Sequence, residues 1–519
     1  MKDDRFAKHT PYLFMASQHV ERTILEKQIN VCGQRGARDS ANNVKKLSNA
    51  FSVFQSVKGT PKYWKHAKSE LIAKVNQLGP FHLFYTLSCA EMRWSEVFVS
   101  IFRKEGYTVV HGKDGKPWTG KDGDIYVIVD GTRKKLREFI DEQPRSKSEI
   151  LKDHVVLITR IFDNRVKSFV KNILKKGKVP ISHYSYRVEF QARGLPHIHG
   201  VGWIEKEWLT KNKYITEQES TVDFEENPQK AARLAEEIMS VNIPEDDEAL
   251  KETVLQVQKH KHTATCKKNS VLSCRFGFPK FPSEKTLIAE PLTDGDEDEK
   301  KEKYAEYSAI LAKARDFLED ETINEDMTHD EFLKSIDVKS EDYENALKTS
   351  KHGRILIMKR SVKERFINNY NKEWMKAWNA NMDVQVSFDA YSVVSYILSY
   401  VAKDETGMTE FLKEALKNAL DMKLNEKEVM KALKMAYLTH RQVGASEALY
   451  RINKGMHLKQ SNIKCVFVSS GFPENRASFF MKIADKDDEA EREDDAEEKF
   501  VKIEGRSGKF KESITIHER

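Results

Sequence analysis

The chain has 519 residues and a nearly balanced charge, with 87 Lys and Arg against 81 Asp and Glu, which gives a formal net charge of +6. With 39% hydrophobic and 32% charged residues it is typical of globular proteins, and its length allows two to four domains. So small a positive excess means that a nucleic-acid surface must come from local basic patches. Five scattered cysteines argue against a disulfide framework. We find no apolar run of roughly 18 to 20 residues, so we expect no membrane partner.

The first predicted elements are helices, because apolar residues recur at helical spacing up to about residue 75. Residues 81–88, FHLFYTLS, then predict a buried strand in the centre of a sheet. Residues 155–174 predict a helix that carries Asp163 and Arg165 on its polar side.

Residues 186–204, YRVEFQARGLPHIHGVGWI, predict two strands joined by a tight turn. Because side chains alternate along a strand, His197 and His199 share one face. The preceding strand adds polar side chains to that face: Arg187, Glu189 and Gln191. Two imidazoles and one or two oxygen donors can bind a divalent metal ion and leave a position for a substrate oxygen. The alternative is a metal-free pair of hydrogen-bonded histidines.

A second group of metal-binding residue types lies in the segment KHKHTATCKKNSVLSCRFGFPK. Four nitrogen and sulfur donors fall within fifteen residues: His260, His262, Cys266 and Cys274. They suit a tetrahedral structural zinc site, although the spacing is not that of a standard zinc finger; reduced cysteines in a basic loop are the alternative.

The same segment mixes basic residues with Phe276 and Phe278. Basic side chains neutralise phosphates and aromatic rings stack on unpaired bases, so the segment is suited to single-stranded DNA. The basic residues expected to contact DNA here are Lys267, Lys268 and Arg275. The alternative is a solvated basic loop.

Residues 221–244 and the charge-rich run 294–303 are interpreted as an insertion and a linker. Beyond them, FDAYSVVSYILSYVAK predicts a helix with Tyr396 and Tyr400 on one face, because residues i and i+4 are neighbours on a helix. Lys403 follows one turn later, where its charge can lower the pKa of a phenol or bind a phosphate. A plain packing face is the alternative.

Residues 405–460 predict amphipathic helices, and residues 485–499, with ten acidic residues, predict a solvated or disordered segment.

Several sequence blocks together resemble the replication-initiator-like nuclease of Helitron rolling-circle transposons, a branch of the HUH endonucleases. In chain order the blocks are DDRFAKHTPYLF, the segment from PKYWKHAK to FYTLSC, VEFQARGLPHIHG, CRFGFPKFP, WNANMDVQ and the two-tyrosine segment. They span roughly residues 3 to 475. The resemblance implies an α+β fold with a central antiparallel sheet flanked by helices, and helical extensions at both ends.

The resemblance also implies a chemistry, in which a tyrosine attacks a phosphodiester of single-stranded DNA and leaves a 5′-phosphotyrosine. Tyr396 and Tyr400 match the nucleophiles, in an order that the sequence does not specify. His197 and His199 match the ligands of Mg²⁺ or Mn²⁺, with Gln191 as third ligand and Glu189 as the alternative. Many members carry a lysine just before the second tyrosine, a position held here by Ser399. Lys403 is assigned that role instead. Arg187 and Arg193 of the hairpin are expected to contact DNA.

The expected boundaries follow from these assignments. We predict a helical region at 1–75, nuclease parts at 76–215 and 351–404, an insertion at 216–350 with the zinc and basic loop at 258–282, a helical region at 405–480 and an acidic tail at 481–519. No segment fits the phosphate-binding loop GxxxxGK[ST], so the helicase of the family is expected from a missing C-terminal part or in trans. The nucleus is the expected location. The competing hypotheses are a catalytically idle DNA-binding remnant and a phosphodiesterase that uses water.

Overall fold

The computed structural model describes residues 10–36, 60–111, 125–190, 194–263, 274–351, 353–399, 402–440, 443–452 and 458–461. It also describes Phe54, Val57, Cys266 and short strands at 464–466, 480–482, 500–502 and 514–516. For residues 396–399 and 402–410 only the backbone is described. The acidic run 485–499 therefore lies outside the described residues. No described helix is long and apolar enough to cross a membrane.

Seventeen α-helices are described along the chain. They are α1 (Thr10–Gly36), α2 (Pro61–Leu78), α3 (Ser95–Lys104), α4 (Leu136–Asp141), α5 (Lys147–Lys152), α6 (Val155–Phe169), α7 (Lys206–Lys211), α8 (Pro228–Ile238), α9 (Glu248–Val257), α10 (Glu297–Glu319), α11 (His329–Ser335), α12 (Ser340–Leu347), α13 (Lys372–Trp378), α14 (Ala390–Ser399), α15 (Ala402–Asp421), α16 (Glu426–His440) and α17 (Ala445–Ile452).

The described strands are β1 (Leu83–Ser88), β2 (Thr108–His111), β3 (Ile125–Val129), β4 (Thr132–Lys135), β5 (Ile181–Phe190), β6 (Pro196–Ile204), β7 (Leu287–Ala289), β8 (Ile355–Ile357), β9 (Met382–Val386), β10 (Leu458–Gln460), β11 (Lys464–Val466), β12 (Phe480–Lys482), β13 (Phe500–Lys502) and β14 (Ile514–Ile516). Helices and antiparallel sheets together confirm the α+β class.

The largest sheet has five strands in the order β10-β5-β6-β1-β9, and each neighbouring pair is antiparallel. The strand predicted at residues 81–88 is confirmed as β1, which pairs on both sides. The predicted hairpin is confirmed as β5 and β6. Gly200 of β6 lies opposite Tyr85, and a Cβ there would meet the tyrosine ring at 2.3 Å, so a larger residue cannot follow His199 without moving that ring.

The two faces of this sheet are covered differently. On one face Tyr85, Val188 and Ile198 lie in the main hydrophobic core with α3, α6 and α13. On the other face Phe84, Val201 and Trp203 pack against residues of α2 and α14. Burial of both faces provides the main stabilisation of the sheet, at about 25 cal/mol per Å² of apolar surface.

His82 ties the start of β1 to its surroundings. Its Nδ1 accepts the backbone N–H of Ile204 at 2.8 Å, so its Nε2–H donates to Thr221 Oγ1, also at 2.8 Å. Burial lowers the pKa of His82 to about 3, which keeps the ring neutral near pH 7.

Two polar segments differ from the sequence predictions, the helix at 155–174 and the charged run at 294–303. The helix at 155–174 is present as α6, followed by one π-helical turn (Val170–Leu174), but Asp163 is buried and paired with Lys167 instead of lying on an exposed polar face. Its neighbour Arg165 stacks on Trp94. The run 294–303, interpreted as a linker, begins helix α10, because the Asp296 side chain caps the first turn in a reciprocal box with Glu299.

Candidate metal centres

The first candidate centre is the His-x-His face, which we define as the side chains of His197, His199 and Glu189. In the register of β5 and β6, Glu189 lies opposite His197 and Arg187 opposite His199. The two imidazole rings are 4.8 Å apart between centroids, and Nε2 of His199 lies 3.0 Å from Oε2 of Glu189. The face that strand alternation predicted is therefore confirmed as a geometric feature.

The protonation of this face favours metal binding. Burial, reinforced by the nearby His199, lowers the pKa of His197 to about 3, so its imidazole is neutral near pH 7. Burial alone would raise the pKa of Glu189, but its hydrogen bond with His199 and the charge of Arg187 outweigh that effect and lower it. The neutral imidazole of His197 beside an ionised carboxylate provides donors that a divalent cation can use.

Of the two candidates for the third ligand, the structure describes Glu189. Gln191 lies outside the described residues, whereas Glu189, the alternative, already contacts His199. Among the described residues, the four-residue group around Cys266 is the one set of three or more His, Cys, Asp and Glu side chains whose donor atoms are gathered tightly enough for a metal ion. The donor atoms of the His-x-His face are therefore less tightly gathered than those of the group around Cys266.

Asp383 is a further carboxylate on this face that the sequence reasoning missed. On β9 it lies opposite Thr86 of β1, which lies opposite His199, so the three residues form one row across the sheet. Its Oδ2 accepts a hydrogen bond from Gln385, while its Oδ1 is buried and has no hydrogen-bond partner among the described residues. Burial raises the pKa of Asp383 to about 6. Nothing local in the sequence signals this residue, because β9 lies almost two hundred residues from the histidines.

Arg187 is placed differently from the prediction that it contacts DNA. It is buried, its guanidinium carbon lies 4.2 Å from the ring centroid of Trp64, and its NH1 is 3.4 Å from Oε1 of Glu189. An arginine enclosed by α2 and paired with the candidate ligand holds that carboxylate in place instead of meeting a phosphate. Arg193 lies outside the described residues.

Helix α14, which carries Tyr396, begins on the same side of the sheet as the histidines. Val394 of α14 is fully buried with Phe84 and Val201, and the Phe84 ring stacks on His199 at 6.1 Å. Tyr396 lies in this helix, although its side chain is not described, and Tyr400 lies outside the described residues. Lys403 is in the first turn of α15, where only the backbone is described.

The second candidate centre is the Cys/His cluster, formed by His260, His262, Cys266 and Cys274. One donor atom from each residue lies within 4.8 Å of all the others. Sγ of Cys266 is 3.5 Å from Nδ1 of His262, and Sγ of Cys274 is 3.4 Å from Nε2 of His260. The sequence prediction that these four residues converge is confirmed, and the group can hold a metal ion.

Neighbouring side chains orient the donors of the Cys/His cluster. Nε2 of His262 lies 3.2 Å from Oε2 of Glu319, while its Nδ1 faces Sγ of Cys266. The His260 ring stacks on Phe278 at 4.4 Å, and burial lowers its pKa to about 4. Burial would raise the pKa of the Cys266 thiol, but hydrogen bonds from Thr263 and Cys274 outweigh it and lower that pKa, which favours the thiolate that binds metals.

The predicted DNA-contacting residues of this loop are only partly described. Arg275 is exposed and lies 4.5 Å from the ring centroid of Phe276, which is itself 49% exposed. Lys267 and Lys268 lie outside the described residues. The other aromatic residue, Phe278, is buried and packs within the cluster instead of facing solvent.

Part of the chain matches a known protein family. Residues 17–202 match the model described as "Helitron helicase-like domain at N-terminus". This segment includes α2, β1, β5, the part of β6 up to Gly202 and both histidines, and it ends before the Cys/His cluster and the tyrosines. No curated protein matches the chain. The chain therefore carries, at residues 17–202, a domain related to the N-terminal helicase-like domain of Helitron transposons.

Proposed function

We propose that this protein is a metal-dependent endonuclease and strand transferase for single-stranded DNA that acts in Helitron-type rolling-circle transposition. The observation that carries the proposal is the convergence of the His-x-His face and helix α14 on one side of the sheet, in a chain whose hairpin lies within the Helitron-related domain. Its expected location is the nucleus, and its helicase would come from another segment or another chain.

In the proposed reaction Tyr396 or Tyr400 attacks a phosphodiester. The tyrosine oxygen forms a bond to phosphorus, the bond from phosphorus to the 3′ oxygen breaks, and the proton lost by the phenol is balanced by one gained at the 3′-OH. The product is a 5′-phosphotyrosine, and attack by a free 3′-OH reverses the step and joins strands without an external energy source.

The residues of the His-x-His face would hold the cation. His197 and His199 would supply nitrogen donors, and Glu189 or Gln191 would supply oxygen. When bound, Mg²⁺ or Mn²⁺ polarises the phosphate and offsets its developing charge. The hydrogen bond with His199 and the charge of Arg187 keep Glu189 ionised, and Lys403 is assigned to the phenol or the phosphate.

We further infer that the Cys/His cluster binds structural zinc. Two thiols and two imidazoles match the donor set of closed tetrahedral zinc sites, and all four side chains are already gathered. Arg275 and Phe276 would then be presented next to this centre as a contact for unpaired DNA.

A covalent-adduct assay tests the proposed reaction. Labelled single-stranded DNA carrying candidate transposon ends is incubated with Mg²⁺ or Mn²⁺, and protein–DNA adducts are separated on a denaturing gel. We expect an adduct that is lost in His197→Ala and in the double variant Tyr396→Phe/Tyr400→Phe. The matched control is Tyr391→Phe, because Tyr391 is an exposed tyrosine of the same helix whose hydroxyl donates to Asn76.

Other outcomes would replace the proposal. Cleavage without an adduct, unaffected by the double tyrosine variant, would indicate a phosphodiesterase that uses water. DNA binding with neither adduct nor cleavage, across several end sequences and both metal ions, would indicate a catalytically idle remnant.

A further inference from the structure

His197 is linked to a chain of hydrogen bonds that runs across the sheet to the segment before the Cys/His cluster. Its Nδ1 lies 3.0 Å from Oγ of Ser88 on β1. The same Oγ lies 3.4 Å from Oδ1 of Asn381, just before β9. Asn381 in turn donates from Nδ2 to Oε1 of Gln258 at 2.8 Å, and Gln258 lies two residues before His260.

The far end of this chain has a fixed direction. Nε2 of Gln258 donates to the carbonyl oxygen of Met382 at 2.9 Å, and its Oε1 accepts the backbone N–H of Met382 at 3.2 Å. Oε1 of Gln258 is therefore an acceptor for Asn381. The Nδ2 group of Asn381 also donates to the carbonyl of Val257 at 2.8 Å, which identifies Oδ1 as the atom facing Ser88.

The donor and acceptor roles of Asn381 and Ser88 determine which ring nitrogen of His197 carries the proton. Oδ1 of Asn381 can only accept, and when the single hydroxyl hydrogen of Ser88 donates to it, that hydrogen points away from His197. The lone pairs of Ser88 Oγ then accept a hydrogen bond from Nδ1–H of His197. A neutral imidazole carries one N–H, so Nε2 is left with its lone pair exposed toward the His-x-His face.

We propose that Ser88 and Asn381 are positioning residues that hold His197 in the Nδ1–H tautomer, with Nε2 ready to bind a cation. The role in metal binding rests on the proposed function, whereas the tautomer is inferred from the directions of the hydrogen bonds around Ser88 and Asn381. With the opposite hydroxyl orientation, Nε2 would carry the proton and could not act as a ligand. Mutation of a residue that hydrogen-bonds to a metal ligand commonly weakens metal affinity by about 10- to 100-fold.

The tautomer can be measured directly on the metal-free, full-length protein. Histidine labelled with ¹⁵N distinguishes protonated from unprotonated ring nitrogens, and a His197→Gln variant assigns the signal. We expect Nδ1–H in the wild type, a mixture of tautomers in Ser88→Ala, and the wild-type state in Ser88→Thr, which keeps the hydroxyl. Detection of Nε2–H in the wild type would overturn the proposal.

Metal affinity gives the second readout. Mn²⁺ binding by calorimetry, taken as the difference from His197→Gln, should weaken at least about 10-fold in Ser88→Ala and stay within about twofold in Ser88→Thr. Ser387→Ala is the matched control, because Ser387 is a buried serine after β9 whose hydroxyl has no hydrogen-bond partner among the described residues. Thermal unfolding of each variant checks that the sheet is intact.

The tautomer and the Mn²⁺ affinity together distinguish failure of the positioning role from failure of the proposed metal-dependent function. Wild-type affinity and tautomer in Ser88→Ala would overturn the positioning role. Absence of Mn²⁺ and Mg²⁺ binding in the wild type would overturn the proposed metal-dependent function, and the tautomer measurement would still decide whether Ser88 and Asn381 orient His197.

Discussion

The two candidate metal centres differ in how their ligands are held. The Cys/His cluster gathers four donor atoms within 4.8 Å of one another and surrounds them with Phe278 and Phe366. The His-x-His face presents two imidazoles and a carboxylate from neighbouring strands, beside the helix that carries Tyr396. Structural zinc sites are closed by protein ligands, whereas catalytic metal sites keep a position open for substrate. This difference supports the proposal that the first centre is structural and the second catalytic.

Removal of a ligand from the Cys/His cluster should have the largest effect. We expect Cys274→Ser to release bound zinc and to lower the free energy of unfolding by about 4 kcal/mol or more, because loss of a metal ranks among the most destabilising single changes. Metal analysis and thermal unfolding measure the two effects. Cys89→Ser is the matched control, since Cys89 is a half-buried free cysteine. An unchanged metal content and stability in Cys274→Ser would show that the cluster is not a zinc site.

Acid should destabilise the sheet that supports the His-x-His face through His82. The pKa of this buried ring is lowered to about 3, below the usual 6.5, so the unfolded chain binds a proton that the folded chain does not. The contribution of His82 is complete above about pH 6.5 and falls by about 1.4 kcal/mol per pH unit, roughly 3 kcal/mol by pH 4.

Denaturant unfolding between pH 7 and pH 4 measures this slope. His82→Gln should make the slope shallower by about 1.4 kcal/mol per pH unit, because glutamine keeps one acceptor for Ile204 and one donor for Thr221 without titrating, whereas His197 keeps its own contribution. An equally steep slope in the variant would assign the acid sensitivity to other groups.

Changes at the carboxylates near the His-x-His face should weaken metal binding there and leave the Cys/His cluster intact. We expect Glu189→Gln to weaken Mn²⁺ binding about 10- to 100-fold, because Oε2 of Glu189 already lies 3.0 Å from His199. Asp383→Asn should have a smaller effect, since this residue lies two strands away from His199. Calorimetry measures both, with zinc content as the internal control. The reverse ranking would make Asp383 the principal carboxylate ligand.

The smallest effect is expected at the exposed edge of the Cys/His cluster. Arg275→Ala should weaken binding of single-stranded DNA about threefold and reduce the salt dependence by about one phosphate contact. Arg233→Ala is the matched control, because Arg233 also stacks on an aromatic ring, Tyr214, at 3.8 Å. Fluorescence anisotropy at several salt concentrations measures both variants. Equal losses in the two variants would mean that the loop is not a specific DNA contact.

Local patterns in the sequence were sufficient for several features. Alternation along a strand placed His197 and His199 on one face, and the close spacing of four donors led to the Cys/His cluster, because both depend on residues near one another in the chain. The helical start at 294–303 also had a local signal, the pair Asp296 and Glu299, but the charge of the run was interpreted as a linker.

Features that depend on distant segments were not predicted. Arg187 was expected to contact DNA, yet Trp64 of α2 covers it, and no pattern around either residue indicates that contact. Asp383 was missed for the same reason, because β9 joins the sheet beside β1 only in the folded chain. Asp163 was expected on a polar helix face and is buried, since the side on which a helix packs depends on its neighbours.

The sequence by itself determined the residue types and the local geometry of both candidate centres, because strand alternation and short-range spacing act within one or two segments. The tertiary structure decided which side chains surround them: Trp64 over Arg187, Asp383 in the row of His199, and the hydrogen bonds from Gln258 through Asn381 and Ser88 to His197. These contacts join residues more than a hundred positions apart, and only the packing of strands and helices around a shared core brings them together.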